Sequence, residues 1–195
     1  MKHTLVATVE DAPWTLNRVV SLFRQRGFAI ESLTIGRTHD AHISRLTMVV
    51  DGSKTAAEQV IKQLYKIIEV RKVSDLTEDQ TVDRELALIK VTSKSSGQRA
   101  EIMQVVDIFR ARIVDVAPGS LMIEVTGPGD KVDSMLNLLR PFGIKEMVRT
   151  GLVAMTRGAA TMQQATMPKL KPIMEPAAVA EGRIEPPGVT HQWSA

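Results

Sequence analysis

Side-chain catalysis needs a nucleophile with its base, an acid–base pair or a metal nest, and this sequence is thinly supplied with all three. Its histidines are His3, His39, His42 and His191. His39 and His42 flank Asp40, a spacing that superficially suggests a metal site. No further ligand lies nearby in sequence, so solvated turn residues are the expectation. Glu10 and Asp11 are adjacent, and adjacent side chains of a strand point to opposite faces, which removes them as an acid pair. No Walker-type glycine loop and no Gly-x-Ser-x-Gly elbow occurs. Ser93-Lys94-Ser95-Ser96-Gly97 resembles a phosphate loop in composition only and reads as a polar turn before a helix at 98. With no cysteine, disulfides, Cys-based zinc sites, iron–sulfur clusters and a thiol nucleophile are excluded.

Binding is the better prospect. In Glu10-Asp11-Ala12-Pro13-Trp14-Thr15-Leu16 a strand gives way to a helix. The first amides of a helix lack intrahelical partners and sit at its positive end, a ready seat for a carboxylate. An amino acid could place its carboxylate on these amides and its ammonium on nearby carbonyls or on Asp11. Equally, Asp11 could simply cap a helix starting near Pro13, a residue favoured at the first helical position.

The elements that must hold this turn follow from periodicity. Residues 3–10 alternate as a strand. Leu16, Val19, Val20 and Phe23 recur at helical spacing, and Gly27 is a natural stop. Phe28 to Thr38 and His42 to Asp51 read as a hairpin. Ala57, Val60, Ile61 and Leu64 mark a second helix, and Ile67 to Val73 a closing strand. The polar stretch 76–85 reads as a linker between a domain at 1–75 and a second at 86–158. There the pattern restarts: a strand at Leu86–Thr92, a helix face at Ile102, Val105, Val106 and Phe109, and a hairpin around Pro118-Gly119. A last helix has Asp130 as candidate N-cap, and a final strand runs from Ile144 to Thr156. Periodicity ends near Ala159, and the proline-rich stretch 159–195 reads as a disordered tail.

The order predicts an α+β protein of two tandem ferredoxin-like βαββαβ domains, each a four-stranded antiparallel sheet with both helices on one face. The first sheet carries apolar residues on both faces, Ile43 and Val49 against Leu46 and Met48, which implies a partner; self-association is the simplest source. Two functions share this strand order. An acylphosphatase-like enzyme would need an arginine-bearing anion loop where this chain has Asp11-Ala12-Pro13-Trp14. An RNA-recognition module would need exposed aromatics on its central strands, and His42-Ile43-Ser44-Arg45-Leu46-Thr47-Met48 has none.

Bulk properties agree with a binding protein free of nucleic acid and membrane. The 195 residues are 44% hydrophobic, 24% charged and 4% aromatic, so the cores are aliphatic. The pI is about 9.3, but a net charge of +3 spread along the chain is not a nucleic-acid footprint. The start of the sequence runs straight into a strand, leaving no room for a leader, and no apolar run reaches the ~20 residues of a membrane span. A soluble, cytoplasmic location is expected.

Several segments resemble the regulatory small subunit of acetohydroxyacid (acetolactate) synthase. Arg26-Gly27-Phe28-Ala29-Ile30-Glu31-Ser32-Leu33-Thr34-Ile35 is similar to its RGYNIESLTV signature, and Ser44-Arg45-Leu46-Thr47 to its SRMT. Gln63 to Val70 resembles its QLHKLVDV. Glu85 to Val91 resembles the REIMLVKI that opens its second domain. Phe109 to Val116 is similar to FRGQIIDV, and Arg149 to Gly158 to RSGVVGLSRG. The resemblance covers about residues 1–158. It implies an N-terminal ACT domain, an amino-acid-sensing fold that pairs side by side as a homodimer with the effector at the interface. It also implies a chain that is no enzyme by itself and holds no cofactor. Such a subunit binds and activates a large catalytic subunit carrying thiamine diphosphate, FAD and magnesium, and confers feedback by valine or another branched-chain amino acid. The effector site it implies comprises Asp11, Ala12, Pro13, Trp14, Thr15, Leu16, Ala29 and Ile30. Three departures bear on it: Trp14 replaces a usual Gly, Ala29 a ligating Asn, and Asp11 a frequent Asn. Together they imply retained activation with valine sensing that is weak, absent or altered in specificity. The indole would either fill the ligand seat or turn outward over a neighbouring subunit. The competing class is a free-standing ACT-type regulator of transcription, for which neither half offers a helix-turn-helix or basic arm.

Overall fold

The computed structural model describes residues 1–159, so the tail expected at 159–195 lies, past Ala159, outside the described residues. Strand β1 (Lys2–Glu10), helix α1 (Thr15–Arg26), strands β2 (Ile30–Arg37) and β3 (Ile43–Asp51), helix α2 (Lys54–Leu64) and strand β4 (Val70–Asp75) form the first βαββαβ unit. Its strands pair antiparallel in the order β2-β3-β1-β4. The long β1–β3 ladder runs from Lys2 opposite Asp51 to Glu10 opposite Ile43, which leaves β2 and β4 as edges.

Alternation sends Leu5, Ala7, Val9, Leu46, Met48 and Val50 to the helix side, where they bury Val19 and Phe23 of α1 and Val60 and Leu64 of α2. Each such side chain contributes roughly 1.5–3 kcal/mol. Phe23 meets Phe28 edge-on, ring centroids 6.0 Å apart. Gly27, at φ 66°, ends α1: its N–H donates to Arg24 O and that of Phe28 to Phe23 O, closing the last turn.

The second unit comprises β5 (Thr81–Thr92), α3 (Ser96–Ile108), β6 (Arg112–Ala117), β7 (Ser120–Gly127), α4 (Gly129–Leu139), β8 (Ile144–Arg149) and a further strand β9 (Val153–Thr156). The order is β6-β7-β5-β8, with β9 pairing the N-terminal part of β5. Its core joins Ala87, Ile89 and Val91 of β5 to Ile102 and Val106 of α3 and to Val132, Met135 and Leu139 of α4. The expected α+β pair of ferredoxin-like units is therefore present. Among the described residues no helix is long and apolar enough to cross a membrane.

Several details depart from expectation. Half of the stretch read as linker is strand: Thr81 to Arg84 pair with Thr156 to Val153. The single last strand expected from Ile144 to Thr156 is two, broken where Gly151 turns the chain at φ +85°. α4 begins at Gly129 behind Pro128, and Asp130 lies inside its first turn instead of capping it.

The back of the first sheet is also covered from within the chain. Val6, Leu76 and Ala154 form a small buried cluster there. Arg45 Nη2 donates to Ala154 O at 2.7 Å, Leu152 N to Ser32 Oγ at 3.3 Å, and Thr34 Oγ1 to Thr150 O at 3.4 Å. Burial holds the Arg45 pKa below its ordinary value. A Cβ on Gly151 would stand 2.6 Å from Ser32 Oγ and 2.8 Å from Thr34 Oγ1, so the close approach requires glycine. The second apolar face thus meets β9 and its preceding loop, where self-association had been the simplest expectation.

Candidate functional site

The turn from β1 into α1 is held by its own backbone. Glu10 N donates to Glu69 O, Asp11 N to His42 O and Ala12 N to Glu10 O, each at 2.9 Å. Thr15, almost fully buried, donates its N–H to Ala12 O and its hydroxyl to Glu10 O. Trp14 is the N-cap and its side chain makes no capping bond, so Asp11 and Pro13 both lie before the helix start. Among the described residues no backbone acceptor reaches the first-turn amides of Leu16 and Asn17. Pro13 and Leu16 are exposed and Ala12 is half-buried.

Two side chains leave the turn in opposite directions. The Asp11 carboxylate goes toward the β2–β3 side, accepting from Arg37 Nε at 3.0 Å and Ser44 Oγ at 3.2 Å. It is thus an anchor for the hairpin rather than a helix cap. The Trp14 indole goes toward the β4 edge, where Nε1 donates to Glu69 Oε1 at 2.8 Å. Arg18 Nη1 reaches the same carboxylate at 3.1 Å. Only 7% of the Glu69 side chain is exposed. Burial alone would push its pKa up. Its own backbone N–H, the indole and the Arg18 guanidinium outweigh that and hold it below the ordinary glutamate value. Within one chain the indole rests half-exposed against Glu69, on the side away from β2.

Ala29 and Ile30 lie elsewhere. Ile30 stands opposite Val50, which stands opposite His3, at the far end of the sheet from Asp11. From His3 to Asp11 the separation is about 25 Å at ~3.3 Å per residue. Asp11, Ala12, Pro13, Trp14, Thr15 and Leu16 are therefore brought together, while Ala29 and Ile30 are not brought to them within one chain.

Glu69, Arg37 and Ser44 were not singled out in the sequence. Glu69 had a faint signal, being a lone carboxylate between Ile67-Ile68 and Val70. Arg37 and Ser44 had none, since neither pattern nor spacing ties them to Asp11. The His39-Asp40-Ala41-His42 turn closes on itself, with Asp40 Oδ1 accepting from His42 N. Among the described residues no group of three or more His, Asp or Glu side chains could hold a metal ion.

In the second unit the same strand–helix junction borders an open cavity of about 430 Å³ lined by Ser93, Lys94, Ser95, Ser96, Arg99 and Met103 among others. Here Ser95 caps α3 conventionally, accepting from Gln98 N at 3.2 Å, and Arg99 Nε donates to the buried Ser93 hydroxyl.

Comparison with known proteins follows the same division. The family model for the acetohydroxyacid synthase small subunit-like ACT domain matches residues 5–72, and that for the small subunit of acetolactate synthase matches residues 84–158. The chain is 54% identical over 158 residues to the probable acetolactate synthase small subunit of Archaeoglobus fulgidus, covering 81% of this chain and 98% of that protein. It is 49% identical over 156 residues to the acetolactate synthase small subunit of Aquifex aeolicus, covering 80% and 81%. The crystal structure of the acetolactate synthase small subunit from Thermotoga maritima superposes with a TM-score of 0.74 at 40% identity, covering 82% of this chain and 99% of that one. By sequence and by fold, the chain belongs to the acetolactate synthase small-subunit family.

Proposed function

We propose that this chain works as a two-fold homodimer that binds and activates a catalytic large subunit of acetolactate synthase, and that it senses valine or a related amino acid only weakly. In this reading thiamine diphosphate, FAD and magnesium belong to the large subunit. The chain's part is in branched-chain amino-acid biosynthesis in the cytoplasm.

One observation carries the dimer: the two halves of the proposed effector site lie at opposite ends of one sheet, and β2 is an edge strand. Antiparallel pairing of β2 with its two-fold mate would set Ile30 of one copy beside Arg37 of the other. Ala29 and Ile30 would then meet the Asp11–Leu16 turn of the second copy. An open strand edge favours such pairing.

The weakness of sensing rests on two residues. Ala29 offers no side-chain amide, and a buried hydrogen bond of that kind is worth ~1–3 kcal/mol. Asp11 is committed to Arg37 and Ser44, which leaves it less available to an ammonium group. The indole has no part in this, because it turns toward Glu69.

Two measurements test the reading. Adding the chain in stoichiometric excess to the large subunit should raise acetolactate formation, and no stimulation would overturn the regulatory role. Calorimetric titration with valine should show no sub-millimolar binding; tight binding abolished by substitution at Asp11 would overturn the weak-sensing part.

A further inference from the structure

The helix layers of the two units differ in charge. The α1–α2 layer carries Arg18, Arg24, Arg26, Lys62 and, just beyond α2, Lys66, against the single exposed carboxylate of Glu58. Glu69, the other acid nearby, is buried beneath Trp14 and Arg18. The α3–α4 layer is balanced, with Glu101, Asp107, Asp130 and Asp133 against Arg99, Arg140 and Lys131 and, just beyond α3, Arg110.

Between α1 and α2 runs a groove of about 370 Å³, bordered by Arg18, Leu22, Gln25, Arg26, Gln63 and Lys66. Leu22 and the buried Ile67 give it an apolar floor, and Ile68 beside it is 83% exposed. Arg26, Lys62 and Lys66 are exposed and have no carboxylate partner among the described residues. The back of the sheet meets the Thr150–Ala154 segment. The β2 edge is reserved for a second copy in the reading above.

We propose that this basic groove seats an acidic surface segment of the catalytic large subunit, with carboxylates toward Arg26, Lys62 and Lys66 and an apolar side chain on the Leu22–Ile67 floor. The inference rests on the regulatory role proposed above. Unpaired charge around an apolar floor is the arrangement that steers a charged protein surface and then holds it by burial. A nucleic acid is the less fitting occupant. The residues bordering the groove include no aromatic side chain on which a base could stack.

The test uses the full chain and its cognate large subunit. Association is measured by calorimetry at low and moderate salt for the wild type, for R26Q/K62Q/K66Q, and for E101Q/D107Q on α3. The triple variant should bind about tenfold or more weakly with unchanged sedimentation and thermal midpoint, and wild-type affinity should fall with salt. E101Q/D107Q should bind as wild type. Equal affinity of the triple variant and the wild type would overturn the groove assignment while leaving the regulatory role intact. Failure of the wild type to bind the large subunit at all would overturn that role and this inference together. Should the triple variant be misfolded, K66Q alone with the wild-type salt dependence decides: no salt dependence and no loss would overturn the assignment. Tighter binding of mixed-sequence single-stranded RNA than of the large subunit, lost in the triple variant, would reassign the groove to nucleic acid.

Discussion

The junction of first strand and first helix occurs twice in this molecule, and the two versions solve different problems. At β5–α3 the helix is finished in the ordinary way, with Ser95 accepting from Gln98 N. At β1–α1 no side chain caps the helix, Asp11 reaches across to Arg37 and Ser44, and Trp14 reaches the other way to Glu69. A cap is local and self-sufficient. The uncapped junction instead reaches to β2, β3 and the turn before β4, and among the described residues its first-turn amides meet no backbone acceptor. A repeated fold thus keeps a self-capped joint in one copy and a joint tied to distant strands in the other.

The sharpest way to break this contrast is to part the two units. Gly151→Val places a branched side chain at φ +85° and against the hydroxyls of Ser32 and Thr34, which already bond Leu152 N and Thr150 O. A loss of about 2–4 kcal/mol is expected, read as a urea midpoint shift with the single transition splitting in two. Ala29→Asn restores an amide at the far end of the sheet. Under the proposed effector site, valine should bind at least about tenfold more tightly, and calorimetry of the variant would show it. Ser95→Ala should cost about 1 kcal/mol of urea stability through loss of its cap. Asp11→Asn, which keeps an acceptor for Ser44 and removes only the charge facing an exposed arginine, should cost less than about 1 kcal/mol. Equal costs would erase the distinction between the two joints.

The smallest effect expected is on Glu69→Gln, best seen in a Trp193→Phe background where Trp14 is the only indole. Because the folded pKa of Glu69 lies below its unfolded value, its contribution to stability is present above the ordinary glutamate range of about 4.3. It is lost as pH falls through the lower folded value. Acid should therefore red-shift Trp14 emission in the parent, while Glu69→Gln should be shifted already at neutral pH.

Most of the architecture was legible because burial enforces periodicity. Val19 and Phe23 are buried as their spacing demands, although Leu16 and Val20 of the same apolar stripe are partly exposed. Periodicity marks apolar positions without saying which of them meets the sheet. Thr81 to Arg84 are too polar to announce a strand, and their pairing with β9 is a contact some seventy residues away. The turn at Asp11–Leu16 could be found from its residue types. The directions taken by Trp14 and Asp11 could not, since their partners Glu69, Arg37 and Ser44 are set by the topology of the sheet. Local pattern cannot report a hydrogen bond spanning fifty-five positions.

Strand β2 carries one more consequence. Its Ser32 and Thr34 hydroxyls grip the loop at Gly151, while its outer backbone is an open edge. That loop leads into β9, which pairs with the base of β5. The strand thereby joins the two halves through one of its sides while its other side stays free to pair.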